Sequence, residues 1–493
     1  MRGYWVSIVF LVASLAGCSG SSQPAATAPE RSGTARSSLD RDQLGKKIEA
    51  YVGAIGDGWG AGYQFSGYIH VATDDGVLYS RGFGLANAET GARNTADTSF
   101  RTGSVTKQFT AAAIMLLQQD GKLSVHDPIR RHLPDYPAPA GDQITVHHLL
   151  THTSGIPNYT TFPELMDSRM RARTVAELLA TFSDRPLEFA PGDRFRYSNS
   201  GYAVLGAIIE AASGQTYGEF LSDRLFVPAG LKNTVVGDAQ GAPDRALGYQ
   251  TNGEGVAELA AAVDMSVPYA AGAVRSTAAD LVRWSQALET RILTPASLQQ
   301  MYTPTPPSMK DGSGYGYGWL ITTGQETVIH HNGGIDGFLS SYVRVPARGL
   351  VIVVWTNNPA VDVDPIKEAV VLAAFGGTPE PPASTRPATL EPAFAARVTG
   401  AYQLEPASRA AMKSLGAPDE TIASIETMTI RAAGAGLELA PIGQPAVPLH
   451  VRDETTLFTR SPAVELALTI EGSAAATGFV LKQGGVELTY VRH

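Results

Sequence analysis

The stretch Phe100-Arg101-Thr102-Gly103-Ser104-Val105-Thr106-Lys107-Gln108-Phe109-Thr110-Ala111 carries the chain's only S-x-x-K, at Ser104 to Lys107. Apolar spacing from Val105 to Gln119 predicts a helix that Asp120-Gly121 ends, with Ser104 where a loop enters it. Positions i and i+3 share a helix face, which puts the lysine amine beside the serine hydroxyl. A serine hydroxyl is a poor nucleophile until a nearby base takes its proton. Lysine can be that base only if burial or a neighbouring positive charge lowers its pKa. The helix N-terminus also favours an anion developing at the serine oxygen. Standing alone, the motif describes many a surface serine beside a solvated lysine.

Two further motifs follow. Tyr197-Ser198-Asn199 comes after Pro191-Gly192. A tyrosine near a lysine can carry a proton, and an asparagine amide offers a substrate both a donor and an acceptor. Buried tyrosines and turn asparagines are also common structural residues. His331-Asn332-Gly333-Gly334 comes third, after a strand-like run from Thr327 to His331. A glycine pair there lets a substrate approach the strand backbone, whose N–H groups can bind an oxyanion. Asn-Gly is equally a hairpin-turn signal. His330 and His331 are adjacent, so in a strand only one of them can face the site.

In this order the three motifs resemble the active site of the serine β-lactamase, penicillin-binding-protein and related esterase superfamily. The class C branch is the best match, with S-x-x-K, then Y-x-N, then K-T-G or its H-x-G variant. Leu149-Leu150-Thr151-His152-Thr153-Ser154-Gly155-Ile156-Pro157, Pro191-Gly192 through Tyr202, and Gly272 through Trp284 with Ser276-Thr277-Ala278-Ala279-Asp280-Leu281 are similar to other family stretches. The resemblance covers residues 40–375. It implies an α+β fold, an antiparallel sheet flanked by helices with a mainly helical subdomain. It also implies a serine hydrolase acting through an acyl-enzyme on an ester or amide. Ser104 would be the nucleophile, with Lys107 and Tyr197 sharing the proton transfers. Asn199 would contact the acyl-side amide, His331 and Gly333 would line the substrate site, and the backbone N–H groups of Ser104 and Gly334 would form the oxyanion hole. No cofactor or metal is expected.

His331 stands where β-lactamases carry lysine. A histidine with an ordinary pKa of about 6.5 is mostly neutral at pH 7, so a carboxylate should be held more weakly and β-lactam turnover should be poor. Relatives with H-x-G include esterases, D-amino-acid peptidases and amidases. No G-x-S-x-G is present, which leaves the α/β-hydrolase route unsupported. His148 and His152, four apart, suggest a metal site, but no H-E-x-x-H accompanies them. A non-catalytic binder of cell-wall peptides or penicillin is the other alternative, and it has no need of an activated nucleophile.

The remaining sequence frames this region. The chain has 493 residues, 44% hydrophobic and 17% charged, with a formal net charge of -9. That composition suits a globular protein with a large core and argues against nucleic acid as a partner. Arg2 and the apolar run Tyr4 to Ala13 read as a signal peptide, too short for a bilayer span of about 20 residues. Leu15-Ala16-Gly17-Cys18 resembles a bacterial lipobox, and Cys18 is the sole cysteine. Residues 1–18 are thus expected to be a lipoprotein signal peptide, with Cys18 lipidated and the protein membrane-anchored in the cell envelope. Ser19 after the cysteine favours the outer membrane in a Gram-negative source. Residues 19–38 read as a flexible tether, 39–376 as the catalytic domain and 377–389 as a Pro/Gly-rich linker. Residues 390–493 read as a β-rich, lipocalin-like domain whose short alternating strands suggest a barrel or sandwich. Partners are a small-molecule or peptide substrate and the membrane. The oligomeric state is open.

Overall fold

The computed structural model describes residues 40–55, 64–238, 244–251, 256–306, 308, 312–380, 388–414, 419–434, 436–441, 446–459, 464–483 and 486–493. The signal peptide, Cys18 and the tether lie outside them, as do residues 381–387 of the expected linker.

A seven-stranded sheet organises residues 40–375. Its strands are β1 (Gly67–Thr73), β2 (Gly76–Phe83), β3 (Gly314–Tyr315), β4 (Leu320–Thr322), β5 (Val328–Ile335), β6 (Phe338–Val345) and β7 (Leu350–Thr356). The order is β3-β4-β5-β6-β7-β1-β2, antiparallel throughout. The first strands of the chain thus complete a sheet made mostly from the last ones.

Both faces of the sheet are covered, so β7 (Leu350-Val351-Ile352-Val353-Val354-Trp355-Thr356) is buried along its whole length. Side chains alternate across a strand. Ile352 and Val354 pack against helix α1 (Arg41–Ala54), which offers Leu44, Ile48 and Val52, and against a C-terminal helix that offers Ile366 and Val370. Asp40 caps α1, accepting from the N–H groups of Asp42 and Gln43. On the opposite face, Val351, Val353 and Trp355 join the core of the helical subdomain. That core contains helices α2 (Lys107–Gln119), α3 (Val146–Leu150), α4 (Asn199–Ser213) and α5 (Ala278–Ala287). The C-terminal helix on the first face is α6 (Val363–Ala374).

A second core belongs to the C-terminal residues. Eight antiparallel strands, from Gly400–Leu404 to Val486–Arg492, pair in sequence order and close when the first meets the last at Tyr402↔Arg492. Alternate residues such as Tyr402, Ile430, Leu439, Leu457, Leu466, Phe479 and Tyr490 fill the interior. The expectation of a barrel or a sandwich resolves to a closed barrel packed with side chains.

Two local readings are corrected. Asn332-Gly333 makes no hairpin turn. β5 runs on to Ile335, and the turn falls at Asp336-Gly337, where Gly337 takes φ +79°. His148 and His152 do not share a helix face, because α3 ends at Leu150 and His152 sits at φ +57°. His148 instead accepts the Thr145 N–H through Nδ1, capping its own helix.

Candidate active site

The nucleophile turn exists because backbone meets backbone. Gly103 takes φ +52° and opens a 3₁₀ turn, Gly103–Thr106, ahead of α2. A Cβ at Gly103 would lie 2.9 Å from the Gly334 nitrogen. A Cβ at Gly333 would lie 2.1 Å from the Thr102 carbonyl oxygen and 2.9 Å from the Ser104 nitrogen. No side chain fits at either place, so β5 seats directly on the turn that carries Ser104. Ser340 Oγ pins the contact by donating to the Thr102 carbonyl at 2.8 Å.

Lys107 begins α2 with none of its surface exposed. Its Nζ has three polar neighbours: Ser104 Oγ at 3.0 Å, Asn199 Oδ1 at 2.7 Å and the Ala271 carbonyl oxygen at 2.9 Å. The rings of Tyr197 and Tyr202 stand 4.8 and 5.3 Å away. No carboxylate is among these neighbours, and desolvation holds the amine well below the usual lysine range. A neutral amine has two N–H bonds and one lone pair. Asn199 Oδ1 and the Ala271 carbonyl can only accept, so they take the two hydrogens. A neutral amine so placed would turn its lone pair to Ser104 and accept its O–H.

Tyr197 OH donates to the same Ser104 Oγ at 2.8 Å. Desolvation raises its phenol above the ordinary value, with the serine bond opposing. Tyr197 is therefore a proton donor at rest, although proximity to a lysine alone suggests a phenol that ionises easily. Asn199 sits at the start of α4 and spans the site. Its Oδ1 takes Lys107, its Nδ2 donates to Thr160 Oγ1 at 3.1 Å, and its N–H donates to Asn158 Oδ1 at 3.0 Å.

The alternation of β5 decides the third motif. Gly333 and His331 lie on the helical-subdomain face. Asn332 lies on the other, donating to Asp364 at 2.7 Å and accepting from Ser341 at 2.9 Å. His331 is 3% exposed and both its ring nitrogens are engaged. Nδ1 faces the Asn332 carbonyl oxygen, and Nε2 lies 2.9 Å from Tyr315 OH. The carbonyl can only accept, so Nδ1 carries the hydrogen and Nε2 accepts from the tyrosine. Burial, and then the nearby Lys107, push this imidazole down to about 3. Both ring nitrogens of His331 are thus held within the protein, by Tyr315 and by the Asn332 carbonyl.

Sequence reading missed three contributors. The Ala271 carbonyl is invisible to side-chain motifs, although Gly272 opens one of the quoted stretches. Tyr315 lies in a two-residue strand that no pattern singles out. His152 stands in one of the quoted stretches, which assigns it no contact with the second motif. Its ring packs 4.2 Å from that of Tyr197, and its Nδ1 accepts the Ser198 N–H at 3.1 Å, holding the second motif in place.

The beta-lactamase family matches residues 48–375. The chain belongs to that family. A penicillin-binding protein of Bacillus subtilis (strain 168) is 29% identical over 457 residues, 88% of this chain and 96% of that one. Among solved structures, the octameric penicillin-binding protein homologue from Pyrococcus abyssi is 25% identical with a TM-score of 0.60, covering 90% of this chain and 99% of its own. The D-amino acid amidase from Ochrobactrum anthropi SV3, complexed with L-phenylalanine, is 28% identical with a TM-score of 0.56, covering 67% and 98%. This beta-lactamase-family chain is a serine hydrolase.

Proposed function

We propose that the chain hydrolyses small amides or esters of the D-amino-acid type through an acyl-enzyme on Ser104. The observation that carries this reading is the set of three contacts at Lys107 Nζ, which hold a desolvated amine 3.0 Å from one hydroxyl. In the first half-reaction the Ser104 proton passes to Lys107, and Oγ bonds to the substrate carbonyl carbon. The carbonyl electron pair moves to oxygen, where the Ser104 and Gly334 N–H groups receive it. On collapse the bond to the leaving group breaks. That group takes the Tyr197 proton, and Tyr197 is reprotonated from Lys107. Water then repeats the sequence on the acyl-enzyme. Similarity to the Ochrobactrum amidase favours D-amino-acid amides. The neutral His331 argues against substrates held by a carboxylate in that position.

Exposure to a fluorophosphonate, followed by intact mass and peptide mapping, tests the nucleophile. The adduct is expected on Ser104 and absent from Ser104→Ala. Hydrolysis of D-alaninamide but not L-alaninamide tests the substrate class. Full activity in Ser104→Ala overturns the mechanism.

Lipidation of Cys18 and an envelope location belong to the same proposal, supported by Leu15-Ala16-Gly17-Cys18 and the single cysteine. Cys18→Ala is expected to accumulate as unprocessed precursor. Membrane association that survives a salt wash in that variant would show another anchor.

A further inference from the structure

We infer that an ion pair between Arg169 and Asp336 closes the acyl end of the groove and limits the acyl donor to one residue-sized group. This rests on the Ser104 reading above. Two segments lead away from Ser104 towards this pair. One is β5, which passes Gly334 and runs through Ile335 into the Asp336-Gly337 turn. The other holds Asn199 through Asn158 and Thr160, then continues along the chain through the short helix Pro163–Asp167 to Arg169. The segments meet where Arg169 Nη2 lies 3.3 Å from Asp336 Oδ1.

Neither segment can swing away freely. The Arg169 carbonyl accepts the Asp264 N–H at 2.9 Å, and Arg169 Nη1 donates to the Met166 carbonyl at 2.8 Å. On the strand side, a Cβ at Gly337 would lie 2.5 Å from Gly248 Cα and 2.9 Å from Ala260 Cβ, so the turn is pressed against a wall. Extended chain advances about 3.3 Å per residue, which sets the bridge about 7 Å beyond Gly334. That depth holds one amino-acid unit, and a second residue would run into the pair. The two side chains are 24% and 31% exposed. A pair so placed contributes little to stability, which suits a barrier better than a brace. The enzyme would therefore release single terminal residues or small acyl groups and leave long peptide donors untouched.

The test compares p-nitrophenyl esters of D-alanine and of Gly-Gly-D-alanine, following acylation of Ser104 by mass and by p-nitrophenol release. The native protein is expected to prefer the single-residue donor by about tenfold or more. Arg169→Ala and Asp336→Ala should each erase that preference by speeding the long donor. The charge swap Arg169→Asp with Asp336→Arg should restore it, which a loosened loop would not do. Fluorophosphonate labelling is independent of acyl length and reports Ser104 alone, so its failure sinks the serine reading and this inference with it. With labelling intact, three results overturn the closure and spare the nucleophile. These are equal rates for both donors in the native protein, refusal of both donors, or a long donor still slow in the two alanine variants.

Discussion

Lys107 Nζ donates to Asn199 Oδ1 at 2.7 Å, and this bond holds the amine 3.0 Å from Ser104 Oγ. The amide does so without adding charge. A carboxylate in its place would hold the amine as an ammonium and remove the base.

Asn199→Asp is accordingly expected to raise the Lys107 pKa and slow acylation at neutral pH by about 10- to 100-fold. Activity should recover as pH rises and the ammonium loses its proton. Rates of Ser104 acylation from pH 6 to pH 10 check this. An unchanged pH profile would show that the lysine is not the titrating base.

Lys107→Met should lower acylation by about 10²- to 10⁴-fold, the usual worth of general-base assistance. It should also change how stability responds to pH. The folded-state pKa of Lys107 lies below its unfolded value, so between the two the unfolded chain binds a proton that the native protein does not. Stability then rises with pH towards the unfolded value of about 10.4 and is lost as pH falls. The gain in Tm from pH 7 to pH 10 should be smaller in Lys107→Met than in the native protein, measured by calorimetry at both values.

His331→Lys would place an ammonium where both imidazole nitrogens are satisfied, close to the buried Lys107. Acylation by a carboxylate-bearing β-lactam and by a neutral ester should fall together, because the ring is engaged within the protein on both sides. A selective gain with the β-lactam would return His331 to the substrate site.

Gly333→Ala introduces a Cβ 2.1 Å from the Thr102 carbonyl oxygen, a backbone atom that cannot rotate away. The strand must withdraw from the nucleophile turn, at a cost of about 1–3 kcal/mol in stability. Fluorophosphonate labelling should be lost while far-UV circular dichroism stays native-like. Normal labelling would show that the contact between β5 and the turn is dispensable.

The site was legible where chemistry is carried by side chains at fixed spacing. Ser104, Lys107, Tyr197 and Asn199 converge as their motifs suggest, and alternation foretold that His330 and His331 would part. What escaped was set by the fold. The carbonyl of Ala271 has no side-chain signature, and the engagement of His331 depends on Tyr315, sixteen residues earlier and two strands away. Strand ends were read short at β5 because Asn-Gly favours turns locally. Sheet pairing on one side and the nucleophile turn on the other override that preference. In the barrel, alternation marks runs such as Thr427 to Ile430 and Val486 to Val491, inside the strands Thr427–Ala433 and Val486–Arg492. Gly400–Leu404, whose partners lie at both ends of the domain, is not among those runs.

The place of β1 in the sheet has a bearing on biosynthesis. It lies between β2 and β7, so a strand made early waits for one completed only at Thr356. The serine turn and the strand that faces it are likewise separated by more than two hundred residues of translation. A growing or truncated chain therefore holds Ser104 before Gly334 is in place beside it. With Ser104 as the proposed nucleophile, reactivity would arrive only with the finished sheet, and a covalent probe for Ser104 would double as a reporter of complete folding.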